Sequence, residues 1–273
     1  MKDEEDGQIS LGNGQVLQRF DYISTIYGLK PKCRPIANTD TAIYWWDGYQ
    51  KEILNYTDGY SLTPLSTIKN IKSYINSHEE SSIPSVIYDN KYKEVLFNVT
   101  NNETVAYNEQ VGAFTSIYTF SPIFYCKLDN SMLISGDEIG NNIYKYNELE
   151  VENDIYHSKL FGNSALPKVQ FVVNKDSVVN KVYDNQFFNG KFQNDLSDIT
   201  LTYNTPLEQQ GIKTMDKATN RELDYKIAVP RNGNVNYGER LRGKTMQCTI
   251  ESSSNNPNFS LQYVITKYRI SWT

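Results

Sequence analysis

The chain has 273 residues, a formal net charge of −5, 21 tyrosines against 11 phenylalanines, and two histidines. No run of 18 apolar residues occurs, so no helical membrane span is expected. The acidic start Met1-Lys2-Asp3-Glu4-Glu5-Asp6 lacks the apolar stretch of a signal peptide. Cys33, Cys126 and Cys248 are far apart, odd in number and outside any CxxC, which argues against a disulfide framework or thiolate metal site and predicts free buried thiols.

In chain order, residues 1–8 read as a disordered lead. The Gly12-Asn13-Gly14 turn resembles a phosphate loop only superficially, because a third glycine and a capped helix are missing. An aromatic strand, Ile43-Tyr44-Trp45-Trp46, then turns at Asp47-Gly48 and returns through Lys51-Glu52-Ile53-Leu54. The pattern recurs at Tyr88-Asp89-Asn90 with Lys93-Glu94-Val95-Leu96, offset by 42 residues, and more weakly at Asp129-Asn130. Asp-Gly and Asp-Asn are expected to supply the positive φ of tight hairpins, and a period of about 40–45 residues suits propeller blades.

Between the first two hairpins, Thr63 as N-cap, Pro64 at the first helical position and Leu65, Ile68, Ile71 and Ile75 predict one amphipathic helix over 64–76. From Pro84 onward the expected strands are 86–88, 92–99, 104–107, 113–120, 123–127, 131–134 and 143–146. Closure of a propeller needs at least four blades, and two or three are visible. Either the chain is the C-terminal part of a longer protein, or the hairpins form an incomplete arc. The first is preferred because an arc leaves sheet edges unpaired. Composition changes at Leu160–Pro167, which divides the chain into blade-like repeats over 1–165 and a second domain over 166–273.

In the second domain the expected strands are 169–173, 178–183, 186–192, 199–203, 222–229, 241–250 and 259–272, a number that suits a β-sandwich-like fold. Met246, Cys248 and Ile250 alternate on one buried face. Phe259, Leu261, Tyr263 and Ile265 do the same, but Tyr268, Ile270 and Trp272 have the opposite parity, which predicts a bulge near Thr266-Lys267. The fold class is therefore mainly β: propeller-like hairpin repeats, a partial set with one short helix, followed by a sandwich-like domain.

Chemistry is sparse. His78 and His157 lack metal-ligand spacing, and no HExxH, GxSxG, P-loop or EF-hand is present. The carboxylate pairs Glu79-Glu80, Asp137-Glu138 and Glu148/Glu150 satisfy a glycosidase by residue type alone and read first as solvated turn charges. No catalytic residue, cofactor or metal is expected. Residues 212–273 carry ten Lys/Arg and five Asp/Glu, +5 against −10 elsewhere, either a solvated face or a docking surface for an acidic neighbour such as a second copy. Arg231, Arg240, Arg242, Lys244 and Lys267 lie among Tyr237 and Tyr268. That mixture suits a local contact with DNA better than general DNA binding by an acidic chain. A carbohydrate-binding or glycan-cleaving module of a host-adhesion device is a second reading, with Trp45, Trp46 and Tyr49 as a stacking platform.

Several segments, in order, resemble tail proteins of crAss-like bacteriophages: Gly12–Ser24, Thr41–Asp47 with Lys51-Glu52-Ile53, Lys181-Val182-Tyr183-Asp184-Asn185, Ala228–Arg231, Arg240–Lys244 and Lys267–Trp272. The resemblance is to the stabilisation or muzzle family at the distal tail and spans about residues 20–273. It implies a non-enzymatic virion component made in the host bacterial cytoplasm. It also implies a symmetric ring of copies below the portal, contacts to neighbouring tail or portal proteins, and closure of a channel through which DNA passes without sequence-specific binding. Within that reading, Arg240, Arg242 and Lys244 are the expected subunit contact.

Overall fold

A computed structural model describes residues 23–30, 36–57, 62–120, 122, 124–128, 132–136, 143–145, 159–160, 163–164, 166–192, 195–221, 224–233, 238–253 and 259–271. The chain divides into two compact units, Met1–Asn147 and Glu148–Thr273. Within the second unit, Lys159-Leu160 pairs antiparallel with Asn163-Ser164.

The first unit is a series of antiparallel meanders. Strands β1 (Ile36–Asn38), β2 (Ile43–Asp47), β3 (Glu52–Tyr56) and β4 (Thr63–Pro64) form one sheet. After helices α1 (Leu65–Ile68) and α2 (Lys72–Ser77) come β5 (Glu80–Asp89), β6 (Glu94–Thr100), β7 (Glu103–Asn108) and β8 (Ala113–Tyr118), again paired in chain order. A third sheet joins β9 (Phe124–Leu128), β10 (Met132–Gly136) and β11 (Ile143–Lys145). The first strands of the three meanders meet: Ile36 of β1, Val86 and Tyr88 of β5, and Tyr125 of β9 line one groove of about 710 Å³. No sheet closes on itself among the described residues.

The matched hairpins have the same local build. Asp47 pairs with Glu52 and Asp89 with Glu94, each across a four-residue loop. The positive φ comes from the last loop residue, Lys51 (φ 48°) and Lys93 (φ 56°), and not from Gly48 or Asn90 as the Asp-Gly and Asp-Asn steps suggested. The aspartates act through their carboxylates. Asp47 Oδ1 accepts the N–H groups of Tyr49 and Gln50 at 2.8 and 3.0 Å, and Asp89 Oδ1 accepts that of Lys91 at 2.8 Å. The two hairpins take different places in their sheets, β2–β3 at the centre and β5–β6 at the beginning. The third repeat's turn lies outside the described residues, although its flanking strands pair at Leu128 and Met132.

The single helix expected over 64–76 is two helices. Asn70 adopts φ 58° and breaks the run, leaving Ile68 56% exposed while Leu65 and Ile75 are buried. Thr63 and Pro64 belong to β4, and no neighbouring side chain caps α1. Glu52 takes that role from β3. Its buried carboxylate accepts Ser66 Oγ at 2.5 Å, Thr67 N at 2.9 Å, Thr67 Oγ1 at 2.8 Å and Lys72 Nζ at 2.5 Å. Burial pushes its pKa up, but the hydrogen bonds from Lys72, Ser66 and Thr67 outweigh that and hold it below the ordinary glutamate value. Around this clasp, Tyr44, Trp46 and Ile53 of the first sheet pack with Val86, Phe97, Val105 and Tyr107 of the second in one core.

In the second unit a short hairpin, β12 (Lys159–Leu160) and β13 (Asn163–Ser164), precedes two antiparallel sheets. Strands β14 (Lys168–Val173), β15 (Lys181–Phe192), β16 (Ile199–Asn204), β17 (Gln210–Thr214), β18 (Thr219–Arg221), β19 (Asp224–Ala228), β20 (Arg242–Gly243), β21 (Met246–Ser252) and β22 (Phe259–Ile270) follow. One sheet runs β14-β21-β16-β17; the other runs β18-β19-β15-β20, with β22 also paired to β15. Tyr183 and Phe188 from one sheet, and Leu201, Tyr203, Met246, Cys248 and Ile250 from the other, share a core, with the expected Met246/Cys248/Ile250 alternation.

Two expectations need correction. Residues 181–183 and 186–192 of the two expected stretches are one strand, with 178–180 outside it, and the polar Asp184-Asn185 step that seemed to divide them contains a bulge. A register shift does fall opposite Lys267, but the extra residue is Asp184 of β15: Tyr183 pairs with Tyr268 and Asn185 with Lys267. A second shift, between Tyr263 and Leu261, inserts Gln262 and reverses the facing of β22. Tyr263, Ile265 and Ile270 are consequently 45–48% exposed, whereas Leu261, Val264 and Tyr268 pack on the core.

Glu52→Gln is expected to destabilise the first unit by about 3 kcal/mol, because it leaves Lys72 without its counter-charge and removes charge-assisted bonds at the start of α1. The Glu52 contribution in the parent chain is complete above the unfolded-state pKa and is lost as pH falls through the lower folded-state value. Denaturant unfolding at neutral and acidic pH should show a smaller loss of stability on acidification for Glu52→Gln than for the parent.

Candidate functional site

The segment 240–244 is bound along one end of β15. Leu241 and Gly243 are buried, which turns the intervening Arg240, Arg242 and Lys244 outward at alternate positions. The backbone is held by Tyr183 N donating to Leu241 O at 3.1 Å, Tyr183 OH donating to Gly243 O at 3.3 Å, and Arg242 N donating to Gln209 Oε1 at 2.6 Å. Lys181 Nζ donates to Lys244 O and lies 5.5 Å from the centre of the Tyr268 ring. Burial holds the Lys181 ammonium below the ordinary lysine pKa, partly offset by Asp176, and pushes the Tyr183 phenol up to about 12. A Cβ at residue 243 would approach Thr245 O to 3.1 Å and Pro206 and Thr205 to 3.3 Å, so the close passage of this segment favours glycine.

The three expected contact residues do not act alike. Arg240 turns to Asp184, the bulge residue, donating through Nη1 to Oδ1. Arg269 of β22 grips the same carboxylate with two bonds, Nε to Oδ2 at 2.8 Å and Nη2 to Oδ1 at 3.0 Å. Arg231, the backbone partner of Arg240 in an isolated bridge, donates to Gly238 O at 3.1 Å and lines the same cavity of about 410 Å³. Arg242 and Lys244 are exposed further along. Asp184 and Arg269 belong to this site but were not among its expected residues. Their signal was the polar interruption in β15 opposite the parity break in β22.

Trp45, Trp46 and Tyr49 do not share a surface. Trp46 is 2% exposed and donates through Nε1 to Glu80 at 3.3 Å, Trp45 takes the adjacent position on the strand, and Tyr49 is an exposed loop residue beside Lys30. Of the carboxylate pairs, Glu80 is bound to Lys30 at 2.9 Å and to Trp46, while residues 137, 138, 148 and 150 lie outside the described residues. His78 has Nδ1 2.8 Å from Tyr74 O and Nε2 3.7 Å from Glu103, which also accepts from Tyr74 OH. His157, Cys33 and the Gly12–Gly14 turn are likewise outside the described residues. Cys126 is exposed, contrary to the buried thiol expected, because it occupies an outward position on β9; Cys248 is buried, as expected. Among the described residues no His, Cys, Asp or Glu cluster has metal-binding geometry, and no helix is long and apolar enough to cross a membrane.

In this mainly β chain Asp47 and Asp89 pin turns, Glu52 clasps the start of α1, and Asp184 anchors two arginines at a bulge. Against known families, the Crassvirus muzzle protein matches residues 1–138 and the Crassvirus muzzle protein C-terminal domain matches residues 156–232. The chain belongs to the muzzle protein family of crAss-like phages, structural components of the virion. The two matched regions fall on either side of the boundary between the compact units. No individual curated protein matches the chain.

Burial pushes the Cys248 thiol up to about 12, with a smaller opposing effect from its bond to Gln186, whereas Cys126 is exposed. Alkylation of the native protein at mildly alkaline pH, read by peptide mass mapping, should label Cys126 and leave Cys248 unmodified until denaturant is added.

Proposed function

We propose that the protein is a non-enzymatic part of the tail, assembled as a symmetric ring of copies that closes the distal end of the DNA channel. Membership of the muzzle family over both units carries this reading. The three meanders support a propeller-like arc, because their first strands come together around one groove as the inner strands of blades do. The paired sheets of the second unit support a sandwich-like domain that presents subunit contacts. DNA passes such a ring without base readout, and neighbouring tail or portal proteins meet its faces. Synthesis takes place in the host bacterial cytoplasm before incorporation into the virion.

Within the ring, Arg242 and Lys244 form the outward end of a cationic contact that begins at Arg240. Native mass spectrometry and negative-stain imaging of the full chain should reveal a closed oligomer with rotational symmetry. The double variant Arg242→Glu/Lys244→Glu should shift the population towards monomers without lowering the unfolding temperature. A parent chain that remains monomeric and never enters particles would count against the assignment.

A further inference from the structure

The bulge at Asp184 gathers more positive charge than it neutralises. Arg231 and Arg240 stand opposite each other in an antiparallel bridge, and Arg269 reaches the same place from β22. Like charges at directly opposed positions repel one another. The Asp184 carboxylate answers Arg240 and Arg269, and Arg231 donates to the Gly238 carbonyl. Among the described residues that line the cavity, three guanidiniums against one carboxylate give an excess of two positive charges. Each guanidinium has five N–H donors in a fixed fork, and the bonds to Asp184 and Gly238 use only a minority of them. The cavity of about 410 Å³ is open to the surface, and Ala228 and Val229 also line it.

From this arrangement we infer that the Arg231–Arg240–Arg269 cavity is an oxyanion site that receives a side-chain carboxylate from the first unit of a second copy of this chain. The inference deepens the ring assembly proposed above and rests on it. Charge complementarity favours that partner: residues 1–147 hold twelve Lys and Arg against eighteen Asp and Glu, a net −6, whereas residues 148–273 hold fifteen against fourteen, a net +1. Nucleic acid fits less well. The cations border one small cavity instead of following a line of phosphates, Asp184 lies among them, and the chain's net negative charge repels polyanions. A carboxylate entering as a fork between two guanidiniums relieves the Arg231–Arg240 repulsion and supplies direction as well as attraction.

Sedimentation velocity of the full chain tests this site. Arg231→Glu is expected to weaken self-association by about tenfold or more, and the parent's association should decline as ionic strength rises and screening shortens. Arg231→Gln retains a donor for Gly238 O while removing the charge, and should weaken association in the same direction if Arg231→Glu proves unstable. Asp184→Asn removes the competing carboxylate while keeping an acceptor for Arg240 and Arg269, and should strengthen association severalfold. A purely structural role for Asp184 would give no such gain. Arg231 variants that fold and associate like the parent overturn the site and leave the ring assignment standing. A parent that stays monomeric at every salt concentration overturns both. If Arg231→Glu instead loses binding to a labelled single-stranded oligonucleotide while self-association is unchanged, the cavity serves nucleic acid and the inference fails.

Discussion

A small antiparallel sheet buries a face only when another sheet or helix lies against it, and this requirement organises both units. In the first, β2 contributes Tyr44 and Trp46 to a core completed by Phe97 and Tyr107 from the following meander, with Tyr44 meeting the Phe97 ring edge-on at 6.4 Å. In the second, β15 and β21 place Tyr183, Phe188, Met246 and Cys248 in one apolar layer. The polar clasps depend on these layers. Glu52 can organise the start of α1 because the surrounding sheet excludes water from it, and charged hydrogen bonds gain strength in that setting.

The units solve the edge problem differently. The first uses local meanders in which each strand pairs with the next, with loops pinned by aspartate carboxylates. The second joins strands distant in sequence: β15 pairs with β19 on one side and with β22 on the other. The bulge at Asp184 lies in the most extended of these pairings, and Arg240 and Arg269 meet on its carboxylate. Family membership gives the phage structural role.

Much of the strand content was legible because it depends on local signals. The repeated Asp–xxx–Lys–Glu text identified two equivalent hairpins, and alternation identified β21. Properties set by tertiary geometry were not. The left-handed Asn70 divides a sequence with good helical spacing, and the cap of α1 comes from Glu52, fourteen and fifteen residues before the Ser66 and Thr67 it binds. Parity within β22 changed with an inserted Gln262, which no local preference announces. At the candidate site, basic residue types flagged Arg240, Arg242 and Lys244. Their division into an Asp184-bound arginine and two outward cations required the register of β15.

The long pairing of β15 with β22 also sets an order of events during folding. The meanders of the first unit need only short loops to close, so their contacts form with little chain entropy lost. Residues 181–192 must instead wait for 259–270, across a stretch that includes the whole of the other sheet's β16, β17 and β21. During synthesis the N-terminal meanders can therefore compact while β15 still has an unfilled edge. That open edge makes a crowded, newly made chain most prone to mispairing in its second unit, before β22 arrives to cover it.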